Sequence, residues 1–222
     1  MKRSIAEIFS NPDIFFQDLM NGKEDLRIPA LIVIAGGVVA AAYAYEVGGL
    51  TGQMMGKLMA GMGTIIAVSA IAGALIGTLL FWVIWSGIFY AMSSLFKGKG
   101  SFRRTMASVG YGYLPQVAGT LIMFIISFVY LPKVRVPEIS AAALQDPQVI
   151  QEAIKALMHD PAMMELAQIS SIITIVFLLM SANIWIFGLK HARALPIRDA
   201  AICVLVPVVG YVFYLLYMLA VM

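Results

Sequence analysis

Two histidines, one cysteine and twelve carboxylates are the groups in this chain with the chemistry to ligate a metal, attack a substrate or relay a proton. Their spacing builds none of those sites. His159 and His191 lie in different segments, and neither sits in a His-Glu-x-x-His or Cys-x-x-Cys pattern. Each reads as a solvated loop residue, with His191 extending the basic stretch of Lys190 and Arg193. Cys203 stands alone in an apolar run, which excludes an intramolecular disulfide and a multi-cysteine metal site; a small buried residue is its expected role. Every carboxylate falls outside five long apolar stretches. Proton-coupled pumping through a buried acid, and proteolysis by paired intramembrane acids, therefore lose their chemistry. No enzyme, cofactor or metal is expected.

Two amides and the basic residues carry what polar chemistry remains. Gln116 and Asn183 fall inside apolar stretches, where an unpaired amide is costly. They read as interhelical hydrogen-bonding groups, or as the polar lining of a cavity for a small solute or lipid. Lys97, Lys99, Arg103 and Arg104 form one basic run, and Lys190, Arg193 and Arg198 form a second. Beside an anionic leaflet each such charge adds about 1 kcal/mol of attraction. The same residues could dock an acidic protein. Nucleic-acid binding is not expected, because no folded basic domain carries the run.

These groups are positioned by stretches without a charged side chain: Ile28–Tyr45, Met62–Phe96, Val109–Leu131, Leu166–Leu189 and Ala200–Met222. Each supplies the roughly 17–25 apolar residues that cross a hydrocarbon core as a helix. With 61% hydrophobic and 12% charged residues, and a mean hydropathy of +0.91, the chain is too apolar for a water-soluble fold. The reading is one membrane domain over 1–222, an all-α bundle of five transmembrane helices with amphipathic surface helices. No uninterrupted apolar run precedes residue 28, so a cleaved signal peptide is not expected.

The loops orient the bundle. Lys2, Arg3, Lys23 and Arg27, the run at Lys97–Arg104, and Lys190, Arg193 and Arg198 fall on one side; Lys57, Lys133, Arg135 and Lys155 fall on the other. The positive-inside rule then places the N-terminus in the cytoplasm and the C-terminus outside, with the cell membrane as the location. The second stretch is long for one span, and a tilted helix with a projecting end accounts for it. A six-span reading would put both termini inside and spoil the charge asymmetry.

Residues 1–27 read as an amphipathic segment, with Asn11 and Pro12 opening a helix that lies in the interface or packs on the protein's own face. The glycine-rich stretch from Gly48 to Gly63 reads as a flexible loop. Residues 132–165 form an outer hydrophilic segment in which Asp146-Pro147 and Asp160-Pro161 open helices, the first of them amphipathic. Pro207 shapes the last span. Ser69, Gly73 and Gly77 form a small-residue ridge for helix packing, favoured within the chain because a short loop makes the first two spans neighbours; a homodimer is the alternative. Gly36 with Ala40, and Gly37 with Ala41, offer the same on the first span. Trp82, Trp85, Phe89 and Trp185 read as an interfacial aromatic belt.

After the basic run comes Ser108-Val109-Gly110-Tyr111-Gly112-Tyr113-Leu114-Pro115. This resembles the signature of the Yip domain family of Ypt/Rab-GTPase-interacting membrane proteins, in which a Gly-Tyr pair followed by a proline opens the third span. Gly110, Tyr111 and Pro115 are the matching residues. The opening Ile8-Phe9-Ser10-Asn11-Pro12-Asp13-Ile14-Phe15-Phe16 is similar to that of prokaryotic members. The acidic-Leu-Tyr-Gly-Pro motif of the eukaryotic branch does not occur, so the resemblance implies the prokaryotic branch. It also implies five spans with a cytoplasmic N-terminus. The expected function is a non-enzymatic membrane scaffold or adaptor that binds anionic lipid or a protein partner at its cytoplasmic face. The alternative is a small-solute or lipid transporter using a polar cavity near Gln116 and Asn183.

Overall fold

Apolar residues all around a helix leave it no solvent face, and long uncharged runs therefore fold as helices whose backbone polar groups are satisfied internally. The computed structural model describes residues 5–22, 24–56, 62–137 and 146–221. Lys2, Arg3, Lys23, Lys57, Gly61, residues 138–145 and Met222 lie outside the described residues. In chain order the helices are α1 (Glu7–Ser10), α2 (Pro12–Met20), α3 (Arg27–Gly56), α4 (Met62–Leu95), α5 (Phe102–Tyr111), α6 (Leu114–Tyr130), a 3-10 turn at Leu131–Lys133, α7 (Pro147–Met158), α8 (Pro161–Ala192) and α9 (Ile197–Val221). Among the described residues five stretches are long and apolar enough to cross a membrane: residues 27–53, 63–95, 102–133, 161–192 and 197–221. Helix α4 is one unbroken element, as its length required.

Two expectations are corrected. Over its described residues the glycine-rich stretch is helical rather than a loop. Gly48, Gly49 and Gly52 belong to α3 and Gly63 to α4. A Cβ at Gly52 would stand 3.3 Å from the Gly63 Cα, and one at Gly48 would stand 3.2 Å from the Ala70 Cβ. The missing side chains let the two backbones meet, and that contact offsets the poor helix propensity of glycine. The aromatic belt is likewise a core. Trp82, Trp85 and Trp185 are 6%, 5% and 1% exposed. Trp85 stacks on Trp185 at 5.5 Å between ring centroids, and Phe89 meets Trp185 edge-on at 5.3 Å.

The tryptophans are inside because the third span is broken. Pro115 has no N–H to continue the ladder, and the chain turns at Gly112–Tyr113 between α5 and α6. Trp185 Nε1 donates to the Val109 carbonyl at 3.0 Å, and Trp82 Nε1 donates to the Met106 carbonyl at 2.9 Å. Both indoles thus bind carbonyls in α5, which packs against α3, α4 and α8. Cys203 is fully buried in the same core.

Helices α1 and α2 pack on the protein's own face. Ile8, Phe15 and Phe16 are buried against Tyr111, Ile32 and Ile184, while Ile5, Phe9 and Ile14 stay exposed. Asp146 and Asp160 cap α7 and α8, accepting from Gln148 N at 2.9 Å and Ala162 N at 2.9 Å.

Candidate functional site at the basic end of the bundle

The loops α4–α5 (96–101) and α8–α9 (193–196) lie at the same end of the bundle and are tied directly together. Lys99 N donates to the Arg193 carbonyl at 2.7 Å. Both α4 and α8 end in a Schellman turn: Gly98 N donates to Ser93 O at 2.9 Å, and Leu195 N donates to Lys190 O at 2.9 Å. Such turns require a left-handed residue, and that residue is Lys97 (φ 58°) in one and Ala194 (φ 50°) in the other. Glycine usually fills this position, because a Cβ there costs roughly 1–2 kcal/mol.

Arg193 is the fastener between the two loops. It is 3% exposed. Its Nε donates to Ser93 Oγ at 2.8 Å, and its terminal nitrogens donate to Gly98 O at 2.8 Å, to Ser94 Oγ at 3.3 Å and to Gly100 O. The guanidinium also sits 4.1 Å from the centre of the Tyr90 ring. Gly100 has φ 123°, and a Cβ on it would fall 2.2 Å from Ala192 O, so the loop closes only with glycine there.

The seven basic residues expected to form a contact surface therefore divide. Arg193 is withdrawn from the surface, because a planar guanidinium can satisfy several loop acceptors at once. Arg104 Nε pairs with Glu24 at 3.1 Å, and the same carboxylate accepts from Ser101 Oγ at 2.8 Å. Lys190 Nζ and His191 Nε2 both reach Asp13 Oδ1, at 2.6 Å and 2.7 Å, and so fasten α2 to the end of α8. His191 is thus a partnered helix residue rather than a solvated loop residue. Hydrogen bonding from Lys190, and next from His191, holds the Asp13 carboxyl below its ordinary 3.8. Lys97, Lys99, Arg103 and Arg198 remain exposed around the clamped loops.

The family-like residues are structural. A Cβ on Gly110 would lie 2.6 Å from the Pro29 Cβ, and one on Gly112 would lie 2.2 Å from Cδ1 of Trp185. Tyr111 is 5% exposed and meets Phe15 edge-on at 5.3 Å. Pro115 is buried in the first turn of α6.

The two amides part company. Gln116 lines a cavity bounded by α4, α6, α8 and α9, whereas Asn183 is exposed on α8 and takes no part in it. The ridge of Ser69, Gly73 and Gly77 makes no packing contact with the described residues: Ser69 is exposed, and a Cβ at either glycine would meet nothing within 4 Å. The first-span glycines do pack, Gly36 toward Val117 and Gly37 toward Leu75 and Thr78. Periodicity could not separate these cases, because the α4 sequence is apolar on every face. The clamp at Arg193 and the partners Glu24 and Asp13 were also missed. Their only sequence signal is the pair of glycines in Lys97-Gly98-Lys99-Gly100.

A family model for the Yip1 domain matches residues 6–219. An uncharacterized protein of the archaeon Methanocaldococcus jannaschii is 30% identical over 125 residues, covering 56% of this chain and 89% of the relative. No solved structure matches the chain.

Proposed function

The chain belongs to the Yip1 domain family, and from that premise we propose that it acts in the cell membrane as a non-enzymatic scaffold or adaptor. Its basic end faces the cytoplasm and holds an anionic lipid or an acidic protein partner. The contact residues are Lys97, Lys99, Arg103 and Arg198, with Arg104 and Lys190 oriented beneath them by Glu24 and Asp13.

The observation that supports this reading most strongly is Lys97. It occupies a left-handed turn position where glycine is the unstrained choice, and its side chain is exposed. Strain retained at an exposed charged residue on a clamped loop favours a role for that charge. The transport alternative is less well supported, because its two polar residues do not share a cavity.

Native mass spectrometry of the protein in neutral detergent, titrated with phosphatidylglycerol, tests the proposal. Replacing Lys97, Lys99, Arg103 and Arg198 together by alanine should weaken lipid retention by roughly fivefold per charge, at about 1 kcal/mol each. Alanine at Lys133 and Lys155, exposed at the other end, should change little. Equal loss from both variants, or from neither, with unchanged recovery of protein partners, would sink the proposal.

A further inference from the structure

The cavity beside Gln116 has a volume of about 280 Å³ and lies between α4, the third span, α8 and α9, with Gly77, Trp85, Gln116, Trp185 and Tyr211 in its wall. That approaches the lower end of the volumes typical of small-molecule sites, roughly 300–1,000 Å³. Three features of its lining define an occupant.

The first is charge. No Asp, Glu, Lys, Arg or His borders the cavity. An ionised group entering it would lose its hydration without a counter-ion, so the occupant's inserted end is neutral. The second is hydrogen bonding. Thr78 and Thr120 donate to their own helix at Ala74 O (2.8 Å) and Gln116 O (2.9 Å), and the Trp185 N–H is taken by Val109 O. Gln116 Nε2 is buried with no partner, and among the described residues Gln116 is the one cavity-lining residue that carries such an orphaned side-chain atom. A buried donor left without an acceptor is costly, so the site calls for an acceptor from outside the chain. The third is the opening. Gly77 is exposed and Phe81 is 38% exposed, on the span with the smallest buried share of the five. The mouth therefore faces hydrocarbon, not water, and the rings of Phe81, Trp85, Tyr113, Trp185 and Tyr211 offer flat apolar walls.

We propose that this cavity binds the carbonyl end of a neutral, tail-bearing lipid that enters laterally from the bilayer. Nε2 has no exposed surface, so the Gln116 amide turns about its last side-chain torsion to donate to the carbonyl; the aromatic walls pack the carbonyl's flanks, and the tail leaves past Gly77. The carbonyl can belong to an ester or to a quinone ring. The proposal is independent of the basic end of the bundle.

Trp85 and Trp185 border the cavity, so an occupant that quenches indole fluorescence reports binding directly. The full chain would be purified in dodecyl maltoside, which has no carbonyl. It would be titrated in one arm with a decyl-tailed benzoquinone and in the other with a diacylglycerol carrying brominated chains. Saturable quenching is expected in at least one arm; the responding arm identifies the source of the carbonyl. Gln116→Leu should raise the midpoint about five- to tenfold, the worth of one hydrogen bond. Gly77→Phe should abolish the saturable component by filling the mouth. Its Cβ meets nothing within 4 Å, and the thermal melt taken on the same sample should not fall below that of wild type. Non-saturable quenching in both arms, or a midpoint that neither substitution moves, overturns the proposal. So does a midpoint sensitive to Gly77→Phe but indifferent to Gln116→Leu.

Discussion

Replacing Gly112 by alanine adds one methyl group and should be among the most damaging single changes in the bundle. Gly112 has φ −69°, a conformation alanine adopts freely, so backbone strain is not the cause. The cost is contact. The new Cβ would fall 2.2 Å from Cδ1 and 2.3 Å from Nε1 of Trp185. That indole cannot swing away, because it is 1% exposed and lies against Trp85 and Phe89. Displacing it breaks the 3.0 Å bond from Nε1 to the Val109 carbonyl and leaves both groups buried and unpaired. Overpacking costs about 1–3 kcal/mol, and the broken bond costs a further roughly 1–3 kcal/mol. The two share one displacement and so do not add fully, giving about 2–5 kcal/mol. At roughly 2–4 °C per kcal/mol for a chain of this size, the melting temperature should fall by about 5–20 °C. Thermal denaturation followed by size-exclusion chromatography in detergent gives the shift, and tryptophan emission shows whether the indole has moved. Gly77→Ala is the matched control. Its Cβ enters open space, and the better helix propensity should stabilise the chain by up to about 1 kcal/mol. A Gly112→Ala protein as stable as wild type, or equal damage from Gly77→Ala, would refute the packing argument.

Arg193→Lys keeps the charge but loses the fork that reaches Gly98 O, Gly100 O and the two serines. It should destabilise by at least the roughly 1.5–3 kcal/mol of one charge-assisted hydrogen bond, read as an earlier melt and faster proteolysis within 96–101. Asp13 is held below its ordinary value by Lys190 and His191. Its contribution to docking α2 is therefore complete above the unfolded value near 3.8 and lost as pH falls through the lower folded value. Protection of the α2 amides, each rate taken relative to an unprotected amide at the same pH, should fall on acidification in wild type, and Asp13→Asn should show the lower protection already at neutral pH. Cysteine labelling tests the orientation. The single native Cys203 is fully buried, so in intact cells an impermeant maleimide should label Lys155→Cys and spare Lys97→Cys; the reverse pattern would invert the bundle.

Much of the fold was legible because spans announce themselves by length and lack of charge, which depends on composition rather than on partners. The caps at Asp146 and Asp160 were legible for the same local reason: the accepting oxygen and the proline that follows it are adjacent in sequence. What stayed hidden depends on which side of an apolar helix is buried. Trp82 and Trp185 look the same in sequence whether they anchor at an interface or bind the carbonyls of Met106 and Val109. The ridge of Ser69, Gly73 and Gly77 has the right spacing for close packing, yet α3 meets α4 at Gly63, Ala70, Leu75 and Thr78 instead. At the basic end the residue types were read correctly and their roles only partly. A count of charges cannot tell an arginine that closes two loops from a lysine that faces outward.

Lys97→Gly separates charge from structure more cleanly than any alanine substitution, because glycine relieves the left-handed turn at the moment the charge is removed. The decisive measurement takes the melting temperature and the phosphatidylglycerol affinity of this variant and wild type from the same preparations. The account predicts a protein at least as stable as wild type that binds the anionic lipid about fivefold more weakly. Unchanged affinity in an equally or more stable protein would contradict the claim that Lys97 and its basic neighbours form the binding face.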